Sequence, residues 1–316
     1  MSYQIQAGRA LAFAIMFSAA AWTGQAALAQ SFVWPLSGTA APAPINAAFG
    51  PRIKGSTGLY EFHEGLDLRA ALGTPVLAAA TGTVRLLTDA NGCTVQNAND
   101  TANPPCANPL YPGGGRIVQI DHGNHLYTNY FHLSAHAAGL SVGTPVGPGD
   151  PIGYVGMTGN ATIYHLHFEV RDGSPNRVDV RNPLGYLPMS TDVATGILAT
   201  SITMVNGSPV LSVTAQAAVD DLNLNEVAVR VFDGNGQLVP QSAGTVVRFN
   251  EKLNCGFTAT NPTQGITLAP DSFNDQSSQY RLTVRFGGLT LPPGGSYEVT
   301  LWDVSRLTSS VTRPIP

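Results

Sequence analysis

The sequence predicts a mainly β protein made of two antiparallel-sheet domains, and three observations carry that expectation. Charged residues are only 11% of the chain against 43% hydrophobic, a profile poor in the Lys and Glu that populate exposed helices. With 34 Gly and 23 Pro, turn signals recur at short intervals. Between these breaks, apolar and polar residues alternate with the period of a half-buried strand, and helical periodicity is weak.

Taken in order, residues 1–29 read as a secretory leader. Arg9 lies in a short n-region, an apolar run extends from Leu11 to Trp22, and Ala27-Leu28-Ala29 forms an A-x-A cleavage pattern before Gln30. That run is too short to span a bilayer comfortably, and Thr23, Gly24 and Gln25 interrupt it. No later segment is apolar enough to cross, so the mature chain is expected to be periplasmic or secreted, with no membrane span. Residues 30–190 form the first expected domain, with strands at Pro75–Ala80, Gly82–Leu87, Arg116–Asp121, His125–His132, Pro151–Val155 and His165–Arg171. Residues 191–316 form the second, with strands at Ser201–Val205, Val210–Ala215, Glu226–Phe232, Thr245–Asn250, Tyr280–Phe286 and Ser296–Trp302. Turn signals such as Asp233-Gly234-Asn235-Gly236 lie between these, and the pattern suggests an immunoglobulin-like β-sandwich.

The formal net charge is −4, and Lys occurs only at Lys54 and Lys252. No basic stripe is available to neutralise phosphates, so nucleic acid is not an expected partner. Three cysteines suit an oxidising compartment. Cys93 and Cys106 bracket a stretch rich in Asn, Ala and Pro, which predicts a disulfide closing a long loop and leaves Cys255 as a buried free thiol.

All seven histidines fall in the first domain, which places the chemistry there. If His63-Glu64-Gly65-Leu66-Asp67 is extended, His63, Gly65 and Asp67 share a face, and Gly65 leaves room for an ion. In His165-Leu166-His167-Phe168-Glu169-Val170 the histidines and Glu169 share one face, while Leu166, Phe168 and Val170 face a core. Two histidines and one aspartate match a catalytic zinc site, which keeps three protein ligands and a water. Further neutral histidines beside the metal could transfer protons or stabilise an oxyanion.

These stretches, with others in the same order, resemble the lysostaphin/LytM family of zinc endopeptidases over residues Phe49 to Leu187. The matching segments are Phe49 to Arg52, His63 to Asp67, Gly73 to Ala80 with Gly82, His122 to Asn124, Tyr130 to Ser134, Gly153 to Gly159, His165 to Val170 and Asn182 to Leu184. The resemblance implies an antiparallel-sheet peptidase domain that binds Zn²⁺ through His63, Asp67 and His167, with His132 and His165 as catalytic residues beside the metal. It implies activity on peptidoglycan stem peptides. The chain departs from the family in an expanded loop from Asn91 to Gly115, and in Thr162-Ile163-Tyr164, where Tyr164 is placed to narrow the site or touch substrate. His122 and His125 are expected to be structural or solvated, and His136 exposed.

The expected function is therefore hydrolysis of peptide cross-links of bacterial peptidoglycan by metal-activated water. The alternatives are a secreted protease acting on Gly-rich proteins and a non-catalytic regulator of another cell-wall hydrolase. The partner of the C-terminal domain cannot be read from the sequence.

Overall fold

The computed structural model describes residues 31–36, 45–53, 60–90, 111, 113–189, 195–218, 224–240, 246–249, 260–261, 266–270 and 279–316. The leader expected over residues 1–29 and the cysteines Cys93, Cys106 and Cys255 lie outside these residues. Apart from two short 3-10 turns, every regular element among them is a β-strand. Among the described residues no helix is long and apolar enough to cross a membrane.

The strands up to residue 190 are β1 (Ile45–Ala47), β2 (Gly50–Ile53), β3 (Tyr60–His63), β4 (Leu66–Arg69), β5 (Pro75–Leu77), β6 (Gly82–Leu87), β7 (Val118–Asp121), β8 (Leu126–Phe131), β9 (Ala135–His136), β10 (Pro145–Val146), β11 (Pro151–Tyr154), β12 (His165–Asp172) and β13 (Val180–Arg181). Eight of them form one antiparallel sheet in the order β1-β4-β12-β8-β7-β6-β10, with β13 also paired to β12. Smaller sheets, β5-β11-β9 and β2-β3, complete this half. Alternation decides what the large sheet buries. Leu66 and Leu68 of β4, Tyr130 of β8 and Leu166, Phe168 and Val170 of β12 are inaccessible to solvent. The opposite face of the same strands is left for polar side chains. The Tyr130 hydroxyl, buried with its ring, accepts the Ala79 N–H at 2.7 Å, so its polar tip is satisfied inside the core.

The second half contributes β14 (Gly196–Val205), β15 (Ser208–Ala218), β16 (Leu224–Phe232), β17 (Val246–Arg248), β18 (Thr260–Asn261), β19 (Ile266–Pro270), β20 (Gln279–Gly287), β21 (Ser296–Asp303) and β22 (Thr308–Pro314). They form two antiparallel sheets, β14-β15-β20-β19-β18 and β17-β16-β21-β22. Alternate residues from each, Leu211, Val213, Val284 and Phe286 from one and Val227, Val229, Val299 and Leu301 from the other, belong to one buried apolar cluster. This distribution of consecutive strands between two sheets is compatible with an immunoglobulin-like sandwich. Among the described residues no sheet draws strands from both sides of residue 190.

Candidate active site

The site forms where β4, β12 and β8 lie side by side. Alternation along β12 puts His165, His167, Glu169 and Arg171 on the face opposite its buried apolar residues. Antiparallel register sets His167 across from Asp67 of β4 and from Phe131 of β8. His63 arrives differently from what a single extended segment would give. It ends β3, which belongs to the two-stranded sheet, and a bend at Glu64-Gly65 returns the chain into β4. The two motif residues converge through that bend and not through a shared strand face. The small size of Gly65 also has a different reason: a Cβ there would stand 2.3 Å from the Phe168 carbonyl oxygen and 2.9 Å from His167 Nε2.

Three donor atoms meet at this point. His63 Nε2 is 3.1 Å from Asp67 Oδ1 and 3.0 Å from His167 Nδ1, and His167 Nδ1 is 2.8 Å from Asp67 Oδ1. The outer ring nitrogens fix the tautomers. His63 Nδ1 lies 2.7 Å from the Ala48 carbonyl oxygen, and His167 Nε2 lies 3.2 Å from Glu169 Oε1. Both partners only accept, so these nitrogens carry the hydrogens and the inner ones present lone pairs.

Two imidazole lone pairs and a carboxylate oxygen aimed at one another repel unless a cation lies among them. A proton can serve. Burial opposes a charge on His167, but Asp67 and Glu169 outweigh it and raise its pKa to about 9. Burial likewise pushes the Asp67 carboxyl up, and His63 and His167 more than offset this, holding it well below the usual range. A metal ion fits the same geometry. Zinc with bonds of about 2.0–2.2 Å in a tetrahedron keeps its ligand atoms roughly 3.3 Å apart, close to the separations here. These three residues form a group able to hold a metal ion.

His132 follows the last residue of β8. Phe131 stands edge-on to His167 with ring centroids 5.1 Å apart, so a continued strand would turn His132 to the other face. Instead His132 adopts φ +63°, a left-handed backbone unusual outside glycine, and its ring lies 4.9 Å from that of His165. His132 Nδ1 donates to the Thr158 carbonyl at 2.8 Å, and His165 Nδ1 to that of Ile163 at 2.9 Å. Each Nε2 is left as an acceptor, and that of His165 sits 3.5 Å from Asp67 Oδ1. Burial, with the neighbouring His167 and His165, lowers the His132 pKa to about 4, so its ring is neutral at pH 7. All of these side chains line one open cavity of about 270 Å³.

Residues 61–180 match the model of Peptidase family M23. They form an M23 peptidase domain. Among curated proteins, the chain is 32% identical over 152 residues to the DD-carboxypeptidase/endopeptidase Mpg of Neisseria meningitidis, a match covering 48% of this chain and 30% of that protein. It is 33% identical over 127 residues to the peptidoglycan DD-endopeptidase ShyA of Vibrio cholerae, covering 40% and 24% respectively. The matched region is therefore under a third of the length of either relative. Among solved structures, the catalytic domain of lysostaphin from Staphylococcus simulans aligns at 26% identity and a TM-score of 0.35, covering 45% of this chain and 90% of that one.

The M23 domain brings together every residue singled out from the sequence, His63, Asp67, His132, His165 and His167. It also contains a buried polar chain behind them that the sequence reading did not assemble. Glu169, facing His167 on one side, takes the Arg171 guanidinium on the other at 2.8 and 2.6 Å. Arg171 is wholly buried and lies 4.9 Å over the Tyr111 ring. The Tyr111 hydroxyl accepts from Gln119 Nε2 at 2.8 Å. The available signal was the β12 alternation, which continues two residues past Glu169 to Arg171.

Of the other histidines, none lines the cavity, and His125 is exposed. His122 spans the Thr81 carbonyl and the Thr128 hydroxyl, at 2.8 and 2.7 Å. His136, expected to be exposed, is half-buried, with Nε2 bonded to the carbonyl of Ile117 just before β7. Tyr164 is largely exposed beside the cavity-lining Ile163.

Proposed function

We propose that this chain is a secreted, zinc-dependent endopeptidase that hydrolyses the peptide cross-links of bacterial peptidoglycan, with residues 30–190 as the catalytic domain and residues 191–316 as an appended sandwich. The reading places it in the periplasm or outside the cell, after removal of residues 1–29. The observation that carries the proposal is the convergence of His63 Nε2, Asp67 Oδ1 and His167 Nδ1, with each of the two imidazoles backed by a group that fixes its orientation.

In this mechanism His63, Asp67 and His167 hold zinc. When bound, zinc supplies Lewis acidity, which acidifies water and polarises a carbonyl oxygen. The chain supplies the proton handling. His132 and His165 keep Nε2 unprotonated because Nδ1 is committed to a backbone carbonyl. Each can accept a proton at that atom, hold it facing the cavity and deliver it to the leaving amine. A protonated Nε2 can also hydrogen-bond to the oxygen on which negative charge develops. Neutral His132 avoids crowding a cation against the metal ligands.

The experiment is incubation of the mature protein with purified sacculi, with and without a chelator. The reading requires chelator-sensitive release of peptide-bearing fragments. Inert sacculi beside cleaved casein or elastin would move the substrate outside the wall, and no turnover of either by zinc-loaded protein would leave a non-catalytic regulator.

A further inference from the structure

The cavity that contains the metal-ligand group has a second cationic feature, built differently. Arg177 lines it from a short 3-10 turn, Arg177–Asp179, with its side chain 44% exposed. Its Nε and Nη2 donate to the two oxygens of Glu64, each at 2.7 Å, and the Glu64 side chain is 7% exposed. This two-point pairing fixes the plane of the guanidinium without exhausting its donors: Nη1 donates to nothing among the described residues. An arginine held rigid by one carboxylate is prepared to take a second through its free edge, with little ordering left to impose on binding.

The charge balance favours an anion there. Among the described residues three carboxylates line the cavity, those of Glu64, Asp67 and Glu169. Arg177 neutralises Glu64 and Arg171 neutralises Glu169. With a divalent ion in place, Asp67 alone opposes it, and the cavity is left positive. A direct stem-peptide cross-link offers the matching group. In a D-Ala–diaminopimelate bond, the carbon that bears the scissile nitrogen also bears a free carboxylate, whereas a glycine bridge has none there.

We propose that Arg177 binds the free carboxylate on the carbon that bears the scissile nitrogen, and thereby selects direct cross-links over glycine bridges. The assignment rests on the peptidase reading above. It is tested with zinc-loaded full-length mature protein and two purified cross-linked muropeptide dimers, one with that carboxylate free and one with it amidated. The wild type should favour the free carboxylate in kcat/KM by about 10–100-fold, the range of a charge-assisted hydrogen bond. In Arg177→Gln that ratio should collapse towards one. Because this substitution removes the two-point pairing of the buried Glu64 carboxylate, Glu64→Gln/Arg177→Gln is measured beside it and should show the same collapse. Zinc content and thermal midpoint are read for each variant, so that loss of the preference is separated from loss of fold. An unchanged ratio in the double variant, or a wild type indifferent to amidation, overturns the assignment while leaving the peptidase intact. Failure of the zinc-loaded wild type to cut either dimer overturns the proposed function and this assignment with it.

Discussion

His63, Asp67 and His167 turn lone pairs towards a shared point, whereas His132 and His165 stand beside it with one nitrogen tied to backbone, and substitution should separate the two groups. His63→Ala is expected to lose zinc by elemental analysis. His132→Ala and His165→Ala should keep it and lose about 10²–10⁴-fold in turnover; retained zinc in the first variant or lost zinc in the others would reverse the roles. Proton linkage gives a second check. His167 has a folded-state pKa of about 9, above the unfolded value of about 6.5. Its contribution to the stability of the metal-free protein is therefore complete below pH 6.5 and fades as pH rises through 9. The same proton must leave when a metal binds, so calorimetry at pH 7 in buffers of different ionisation enthalpy should show about one proton released per zinc. Glu169 acts through His167. Glu169→Leu should weaken zinc affinity by about 10–100-fold. Glu169→Gln, which keeps an acceptor for His167 Nε2, should keep more of the affinity yet lose stability by about 3–5 kcal/mol because Arg171 is left buried without its carboxylate.

Strand-level features explain why some of this site was legible and some was not. β12 could be read directly, since alternation of His165, His167 and Glu169 with Leu166, Phe168 and Val170 requires a one-sided strand. β6 was legible to its bounds for the same reason. β2, β3 and the bend at Glu64-Gly65 were not, because a short strand that changes sheet leaves no period to count. The left-handed turn at His132 was equally hidden: His is not a residue whose identity announces positive φ. Arg171 was passed over because a charge near the end of a strand ordinarily reads as a solvated face, and only the fold shows Tyr111 and Glu169 enclosing it. β22 was not among the expected strands, since its sequence is mostly Ser, Thr and Arg and most of its residues remain accessible. The bend itself yields a prediction. Gly65→Ala drives a Cβ into the Phe168 carbonyl and His167, so it should destabilise by about 1–3 kcal/mol and weaken zinc binding together. Denaturant titration and metal analysis of this variant measure both; a neutral result would mean that β12 and the bend are not tightly coupled.

At the scale of the molecule, the candidate site lies in the first half, where β3 brings His63 to the edge of the large sheet, and none of the described residues of the C-terminal sheets lines the cavity. The sequence from Asn91 to Gly115, read as an expanded loop, carries the proposed Cys93–Cys106 disulfide. In the chain-entropy model, closing a loop of that size stabilises by about 3 kcal/mol. Non-reduced peptide mapping should recover that pair with Cys255 free, and a Cys255 cross-link to either would contradict it. The central claim, metal-dependent cleavage of peptide cross-links, is tested most directly by mass spectrometry of muropeptides from sacculi digested with the zinc-loaded protein and with the chelated protein. Dimeric muropeptides should fall and monomers rise only with zinc, with glycan strands intact; new reducing sugar ends, stem peptides released whole from the lactyl group, or an unchanged dimer fraction would contradict it.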